Sequence, residues 1–531
     1  MFYADDGVFV GQWCESNITS LVHVLECFYM VSGLRINMSK SKIVGVNMDC
    51  DKVNRAAVRL GCLFLKTSFS YLGSIVGGHM SWKHTWNKIV ERVKKRLSKW
   101  KMKTLSIRGR MTLVKSVLGS MPIFYFSIFK VPMGVIRILE ALRSHFFNGH
   151  ETNSKKASWV NWKKALVSKD RGGLGISSLF VMNRGLMFKW VWRFLTQEST
   201  LSTRVIKAIH GEDGRIGVTT RGGPKSCWMV IIQEMYDLSK NGIDLMKYMR
   251  IKLGNEENTA FWEDKWCLGG ALKDRYPRVY ALESCKHITV GAKLNQPYLS
   301  FSFRRNPRGG CEQEQFEKVK DLVKVVSLAP MSDRWTWELE NTRDFSVASV
   351  RKLIDAKMLP IMENKTRWIN YVPIKVNIHA WKVMKNSLPT RFNISSRGIC
   401  IDSILCANCD TGVETASHLF FSCCMARKVA KLIIRWWNVS DEEFDSYDDW
   451  VAWLVSIRLP MKNKKMLEGV FYVMWWLLWL FRNKIILEDK APKKEMFFDD
   501  VVSKSFYWCR HKCNASFGWN DWLKNPNLIP L

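Results

Sequence analysis

Four residues in the last quarter of the chain have the types and spacing of a metal site. Cys406, Cys409, His418 and Cys423 follow the pattern C-x2-C-x8-H-x4-C. Two cysteines so separated form a knuckle that presents both thiolates to one zinc, and a histidine and a cysteine on a following short helix complete a tetrahedron. Four protein ligands leave no position for water, so a Zn2+ held this way is structural. Cys424 is the neighbouring competitor for the fourth position, and free core thiols beside a helix histidine are the metal-free alternative. Cys509-Arg510-His511-Lys512-Cys513 is too compact for one zinc site. At the other end, Phe2-Tyr3-Ala4-Asp5-Asp6-Gly7-Val8-Phe9-Val10 predicts strand, acidic turn, strand. Adjacent carboxylates on a tight turn supply hard oxygen ligands of the kind that hold two Mg2+ ions in phosphoryl transfer, although a bare Asp-Asp pair also suits an ordinary solvated turn.

A third constellation is basic. From Trp82 the periodicity is helical, with Trp82, Trp86, Ile89, Val93, Leu97 and Trp100 along one stripe. The other face carries Lys88, Arg92, Lys94, Lys95, Arg96 and Lys99, followed by Lys101, Lys103, Arg108 and Arg110, against a lone Glu91. A solvated face mixes both signs. This run is nearly all cationic, which suits a helix tracking phosphates through Lys88, Arg92, Lys95, Lys99, Arg108 and Arg110.

The elements that must position these groups read as follows. A helix is predicted from Ile18 to Met30, with Leu21, Val24, Leu25 and Phe28 on one face and an end at Ser32-Gly33. Leu34-Arg35-Ile36-Asn37 and Lys42-Ile43-Val44-Gly45 predict short strands around a lysine-bearing loop. Glycine pairs punctuate residues 153–310, and Arg171-Gly172-Gly173-Leu174-Gly175 lacks the lysine-serine ending of a phosphate loop, so it predicts a turn. The chain has 531 residues, 47% of them hydrophobic and 12% aromatic, enough for several buried cores rather than a disordered chain. Its formal charge of +33 calls for an anionic partner. Fifteen scattered cysteines do not form a secreted disulfide framework, and no signal region opens the chain, which leads us to expect a nuclear or cytoplasmic setting. The longest apolar run, Gly469 to Phe481, is shorter than the ~20 residues of a spanning helix, so a buried helix and no membrane partner are expected.

Tyr3-Ala4-Asp5-Asp6 resembles the Tyr-x-Asp-Asp motif of reverse transcriptases, and the resemblance continues in order. The stretch from Ser32 to Lys42, which begins Ser32-Gly33-Leu34-Arg35-Ile36-Asn37 and ends Lys40-Ser41-Lys42, is similar to the next palm motif of plant LINE-type (non-LTR) retrotransposon enzymes. Tyr71-Leu72-Gly73 resembles their primer-grip hairpin, and Trp100 through Pro122 their thumb. Trp335-Thr336-Trp337, Phe345-Ser346-Val347, Pro373-Ile374-Lys375-Val376, Leu388-Pro389-Thr390-Arg391, Glu414-Thr415-Ala416-Ser417-His418-Leu419-Phe420 and Trp479 with Arg482-Asn483 resemble the zinc-binding domain and tail that follow. The resemblance implies that Asp5 and Asp6 are catalytic ligands of a two-Mg2+ site, that Lys40 matches the proton donor to pyrophosphate, and that template and primer RNA and DNA are partners.

The fold class so implied is α+β, mostly helical, with a partial palm (1–80), a basic helical thumb (81–150), a Trp- and Gly-rich connection (151–330), a zinc-binding domain (331–440) and a helical tail (441–531). A further palm aspartate and the fingers precede Tyr-x-Asp-Asp in that family, and only Met1 and Phe2 precede Tyr3. The expectation is therefore a truncated RNA-directed DNA polymerase that binds nucleic acid but is inactive as an isolated fragment. The alternative is a host-adopted, non-catalytic protein that binds zinc and nucleic acid.

Overall fold

The structure, a computed structural model, describes residues 2–529 except 4–5, 46–47, 66–68, 72–73, 78–79, 99–104, 151–157, 218–225, 255–258, 268, 325, 327–330, 363, 489–492 and 514–516. The chain is mostly helical, and its sheets among the described residues are four two-stranded pairs. It divides into two compact units, residues 1–87 and 88–531.

In the first unit, strands Phe2–Tyr3 and Asp6–Gly7 pair antiparallel with Tyr3 opposite Asp6. The predicted helix runs Glu15–Ser32 and stops where Gly33 takes a φ of 70°, the left-handed conformation that suits a residue without Cβ. Its predicted apolar face has little to pack on: Ile18 is the buried residue of the helix, while Val24 and Phe28 are 58% and 47% exposed. Periodicity places side chains on a face but cannot supply a covering element. Lys42–Ile43 is a strand, paired in parallel with Leu63–Phe64 around the Cys50–Leu60 helix. Leu34 to Asn37 is not one; there Asn37 instead caps the Met38–Lys40 turn through its side chain.

The Asn87–Ser98 helix, which belongs to the second unit from Lys88 on, buries Ile89, Val90, Val93 and Leu97. In the first unit, Trp82 does not extend this stripe: it precedes a separate 3-10 turn, Lys83–Trp86, and is 54% exposed. Trp100 and Tyr71-Leu72-Gly73 bear on expectations that fall wholly or partly outside the described residues; of the latter, Tyr71 lies in the Phe69–Tyr71 strand.

The Leu179–Thr196 helix packs against Val347–Met358 and Ile123–Ile128, and Trp337, Phe188 and Trp192 share its core. At Arg171 to Gly175 the turn is sterically required. A Cβ on Gly172 would lie 2.4 Å from the Asn364 carbonyl oxygen, and one on Gly173 2.0 Å from that of Val167. The Gly172 carbonyl accepts the Trp381 indole N–H at 2.9 Å, so the turn is also a packing contact.

The largest core among the described residues, drawn from residues 369–529, surrounds the Met461–Leu487 helix. The apolar run seen in the sequence is the middle of this 27-residue helix, which by length and composition alone could cross a membrane. A helix apolar all round is buried on all sides. Gly469 through Trp475 are all fully buried, with Trp475 4.7 Å from Trp450 and stacked on Tyr472 at 5.4 Å between ring centroids. Trp475→Ala is expected to destabilise the second unit by about 3–5 kcal/mol, whereas Trp82→Ala changes stability by no more than about 0.5 kcal/mol. Denaturant unfolding followed by near-ultraviolet circular dichroism compares them, and equal effects would contradict this assignment of the core.

Candidate metal centre

The segment from Ile404 to Glu414 closes on itself. Cys406 N–H donates to the Gly412 carbonyl at 2.9 Å, Glu414 N–H to that of Ile404 at 2.8 Å, and Asp410 N–H back to that of Cys406 at 2.8 Å. Asp410 and Gly412 hold positive φ values of 56° and 83°. Gly412 is required twice over, because a Cβ there would also meet the His418 ring at 3.0 Å. The chain then runs into His418–Ser422, a π-helical turn, before the Cys424–Trp436 helix. In a regular α-helix residues five apart face well away from one another. Here Cys423 N–H donates to the His418 carbonyl at 2.7 Å, and this wider turn returns Cys423 to the side of His418.

Cys406, Cys409, His418 and Cys423 each offer one ligand atom, and these atoms lie within 4.8 Å of one another. Cys409 Sγ and His418 Nε2 are 3.2 Å apart. A tetrahedral zinc with bonds of ~2.0–2.3 Å has ligand–ligand edges of about 3.3–3.8 Å, so a small contraction suffices. Cys423 is buried and Cys424 exposed and outside the cluster. The hydrogen bond that the Cys423 thiol shares with the Cys406 sulfur, then burial, push the Cys423 thiol well above its ordinary pKa, and burial lowers that of His418. Soft donors packed this closely in a core are what a bound cation converts to thiolates. The donor set fits structural zinc, and the same four residues would hold it with no water position left.

Beside the cluster is a buried ion pair. Glu414 is fully buried; it accepts from Arg482 Nη2 at 2.7 Å, from the Arg391 N–H at 2.8 Å and from the Ala407 N–H at 3.4 Å. Both Glu414 and Arg482 stand in the motifs quoted above, but nothing in one sequence links residues so far apart.

The basic helix presents Lys88, Arg92 and Lys95 to solvent on the face opposite its buried stripe, and its Glu91 is engaged by Lys94 at 2.8 Å. Lys99 lies outside the described residues. Arg108 is exposed, but Arg110 is not a free surface cation. Its guanidinium fills the space that a Gly149 side chain would take, 1.7 Å from a built Cβ, and burial lowers its pKa. Asp5 and the side chain of Asp6 lie outside the described residues, and Lys40 is an exposed residue at the end of the Met38–Lys40 turn.

Residues 345–429 match the family described as zinc-binding in reverse transcriptase. All four clustered ligands fall inside this match. A candidate ribonuclease H protein of Arabidopsis thaliana is 29% identical over 350 residues, 64% of this chain and 54% of the relative. An uncharacterized mitochondrial protein of the same plant is 29% identical over 153 residues, 28% of this chain and 94% of the relative. The chain thus spans about half the length of the first of these relatives. These matches relate it to reverse-transcriptase proteins.

Two outcomes follow for the site. The purified chain is expected to carry about one zinc, and Cys406→Ser or Cys423→Ser to abolish it; metal analysis reads both, and normal folding with no bound metal would leave these residues as core thiols. Glu414→Gln, which leaves Arg482 buried without its counter-charge, is expected to cost about 3–5 kcal/mol in unfolding experiments, against little change for the exposed pair member Glu91→Gln.

Proposed function

We propose that this chain is part of a non-LTR, LINE-type retrotransposon reverse transcriptase, with the zinc-ordered module and the basic helix serving to hold nucleic acid. The observation that carries the reading is the coincidence of the Cys406, Cys409, His418 and Cys423 cluster with the segment that matches a reverse-transcriptase zinc-binding family. The ordered resemblance of residues 3–42 to palm motifs supports assigning the first unit to the palm, and the cationic face of the Asn87–Ser98 helix supports a thumb that follows phosphates.

On this reading Asp5 and Asp6 belong to a two-Mg2+ centre and Lys40 stands near the leaving pyrophosphate, roles that rest on the resemblance alone. The partners are template RNA and primer DNA, and the setting is nuclear or cytoplasmic. Contacts to phosphate are independent of sequence and release counterions, so binding should weaken steeply with salt.

Replacing Lys88, Arg92 and Lys95 together by glutamine is expected to reduce the slope of log affinity against log salt by about 1 for each lost phosphate contact. Fluorescence anisotropy with a labelled RNA–DNA hybrid measures it, and an unchanged slope would make the helix an ordinary solvated face. On the two-Mg2+ reading, any Mg2+-dependent primer extension is expected to be lost in Asp5→Asn; extension that persists in that variant would overturn the metal role of Asp5 and leave the binding part standing.

A further inference from the structure

The Cys424–Trp436 helix, which follows directly on Cys423 of the metal cluster, has two faces of opposite character. Met425, Val429 and Ile433 are buried. On the other side Arg427, Lys428, Lys431 and Arg435 recur at the three- and four-residue spacing that lines side chains along one face, and the helix contains no acidic residue. Lys428 and Arg435 are exposed. The Arg427 N–H donates to the Cys423 carbonyl at 2.9 Å, so the row of cations starts one helical turn from the metal centre.

The acids that meet this row come from another segment. Asp441, Glu442, Glu443 and Asp445 place four carboxylates in five residues of a chain that holds 81 lysines and arginines against 48 acids. Arg427 Nη2 is 2.5 Å from the Asp445 carboxylate, and Lys431 Nζ is 2.6 Å from that of Glu443. The hydrogen bond from Lys431, then the Lys431 and Arg427 charges, hold the Glu443 carboxyl below its ordinary pKa. The segment is set in place by Phe444, which is buried and lies 5.2 Å from Trp453 and 5.9 Å from Phe471 between ring centroids. Asp445 and Glu443 themselves stay in solvent, their side chains 67% and 53% exposed.

The Cys311–Lys324 helix shows the ordinary kind of surface pair: Glu314–Lys318, Glu317–Lys320 and Asp321–Lys324 are bonded within one helix at local spacing. The Cys424–Trp436 row is instead met by carboxylates of a separate segment that Phe444 fixes independently of the ion pairs. Exposed pairs contribute little net stability, so a competing anion can displace these carboxylates while the backbone of the segment stays in place. Phosphate is such an anion, because an arginine meets it with two parallel hydrogen bonds. Arg427 and Lys431, four residues apart, are separated by about 6 Å along the helix axis and can engage two anionic groups at once.

We propose that the Arg427, Lys428, Lys431 and Arg435 face is a second phosphate-binding surface for nucleic acid, and that segment 441–445 is its built-in competitor, holding Arg427 and Lys431 until phosphate displaces Glu443 and Asp445. The proposal rests on the nucleic-acid reading above and adds a surface beside the metal centre and a control on its use. The zinc-loaded full chain is titrated with the labelled RNA–DNA hybrid at one salt concentration. Glu443→Gln with Asp445→Asn is expected to tighten binding by about two- to thirtyfold, the worth of two exposed ion pairs. In an Arg427→Gln, Lys431→Gln background that gain should disappear, whereas a general effect of lost negative charge would persist there to within about twofold. Should Arg427→Gln disturb the first turn, Lys431→Gln with Glu443→Gln gives the same cycle alone. Lys428→Gln with Arg435→Gln should weaken binding at unchanged zinc content and melting temperature. No gain on neutralising the acids, or an equal gain in both backgrounds, would overturn the competitor, and no loss in the Lys428 and Arg435 variant would overturn the surface. The Lys88, Arg92 and Lys95 variant keeps the two readings apart: if only it weakens binding, the basic helix stands and this face fails. If the hybrid is not bound with or without the acids, the nucleic-acid reading itself fails.

Discussion

The Glu414 carboxylate joins three pieces of backbone. It receives Arg482 from the long Met461–Leu487 helix, Arg391 from the short helix that leads to Arg397, and Ala407 from inside the cysteine knuckle. A carboxylate buried this deeply is costly unless its oxygens are satisfied, and removal of one partner leaves the other charge stranded. The knuckle, the short helix and the long helix are consequently held as one arrangement. Zinc would act on the same arrangement from the other side by drawing Cys406 and Cys409 toward His418 and Cys423. The metal centre and the ion pair are thus two clamps on one hairpin.

The long helix shows the same economy of polar groups. It is apolar enough for a bilayer by composition, yet its Glu468 accepts two hydrogen bonds from Arg367, at 2.7 and 2.8 Å, and one from the Tyr472 hydroxyl at 2.8 Å. Glu468 is 1% exposed, so these partners replace water for a charge inside the core. Burial and the Glu468 charge raise the Tyr472 pKa well above the ordinary phenol value, which keeps its hydroxyl a donor. Close approach of the segment 369–372 to Gly469 completes the packing, since a Cβ there would sit 3.1 Å from Val372.

The cationic surface has more than one character. Lys88, Arg92 and Lys95 form an exposed row on a regular helix, suited to phosphate at any sequence. A cavity at Trp159 and Trp162 places Lys164, Lys385 and Arg397 beside flat groups, with the Trp162 indole held by Glu140 and the Arg397 guanidinium by Ser158. Arg110 belongs to neither. Although it continues the basic run in sequence, its side chain is committed to the gap left by Gly149.

The residues themselves determined the zinc donor set, because cysteine and histidine at C-x2-C-x8-H-x4-C have few other uses together and local spacing alone brings a knuckle's thiolates near one point. They also determined the amphipathic form of the Asn87–Ser98 helix and the left-handed end of the Glu15–Ser32 helix, both of which depend on neighbours within a turn or two. Local spacing did not reveal which of the adjacent Cys423 and Cys424 enters the cluster; the π turn after His418 decides that, by setting which one faces the buried side. Nor could it show that Glu414 meets Arg482, that Arg110 turns inward, or that two tryptophans and three cations from separate segments share a cavity. Those are outcomes of long-range packing. A helical or strand period reports which side of an element a residue occupies, but what that side meets is set by chain segments tens to hundreds of residues away.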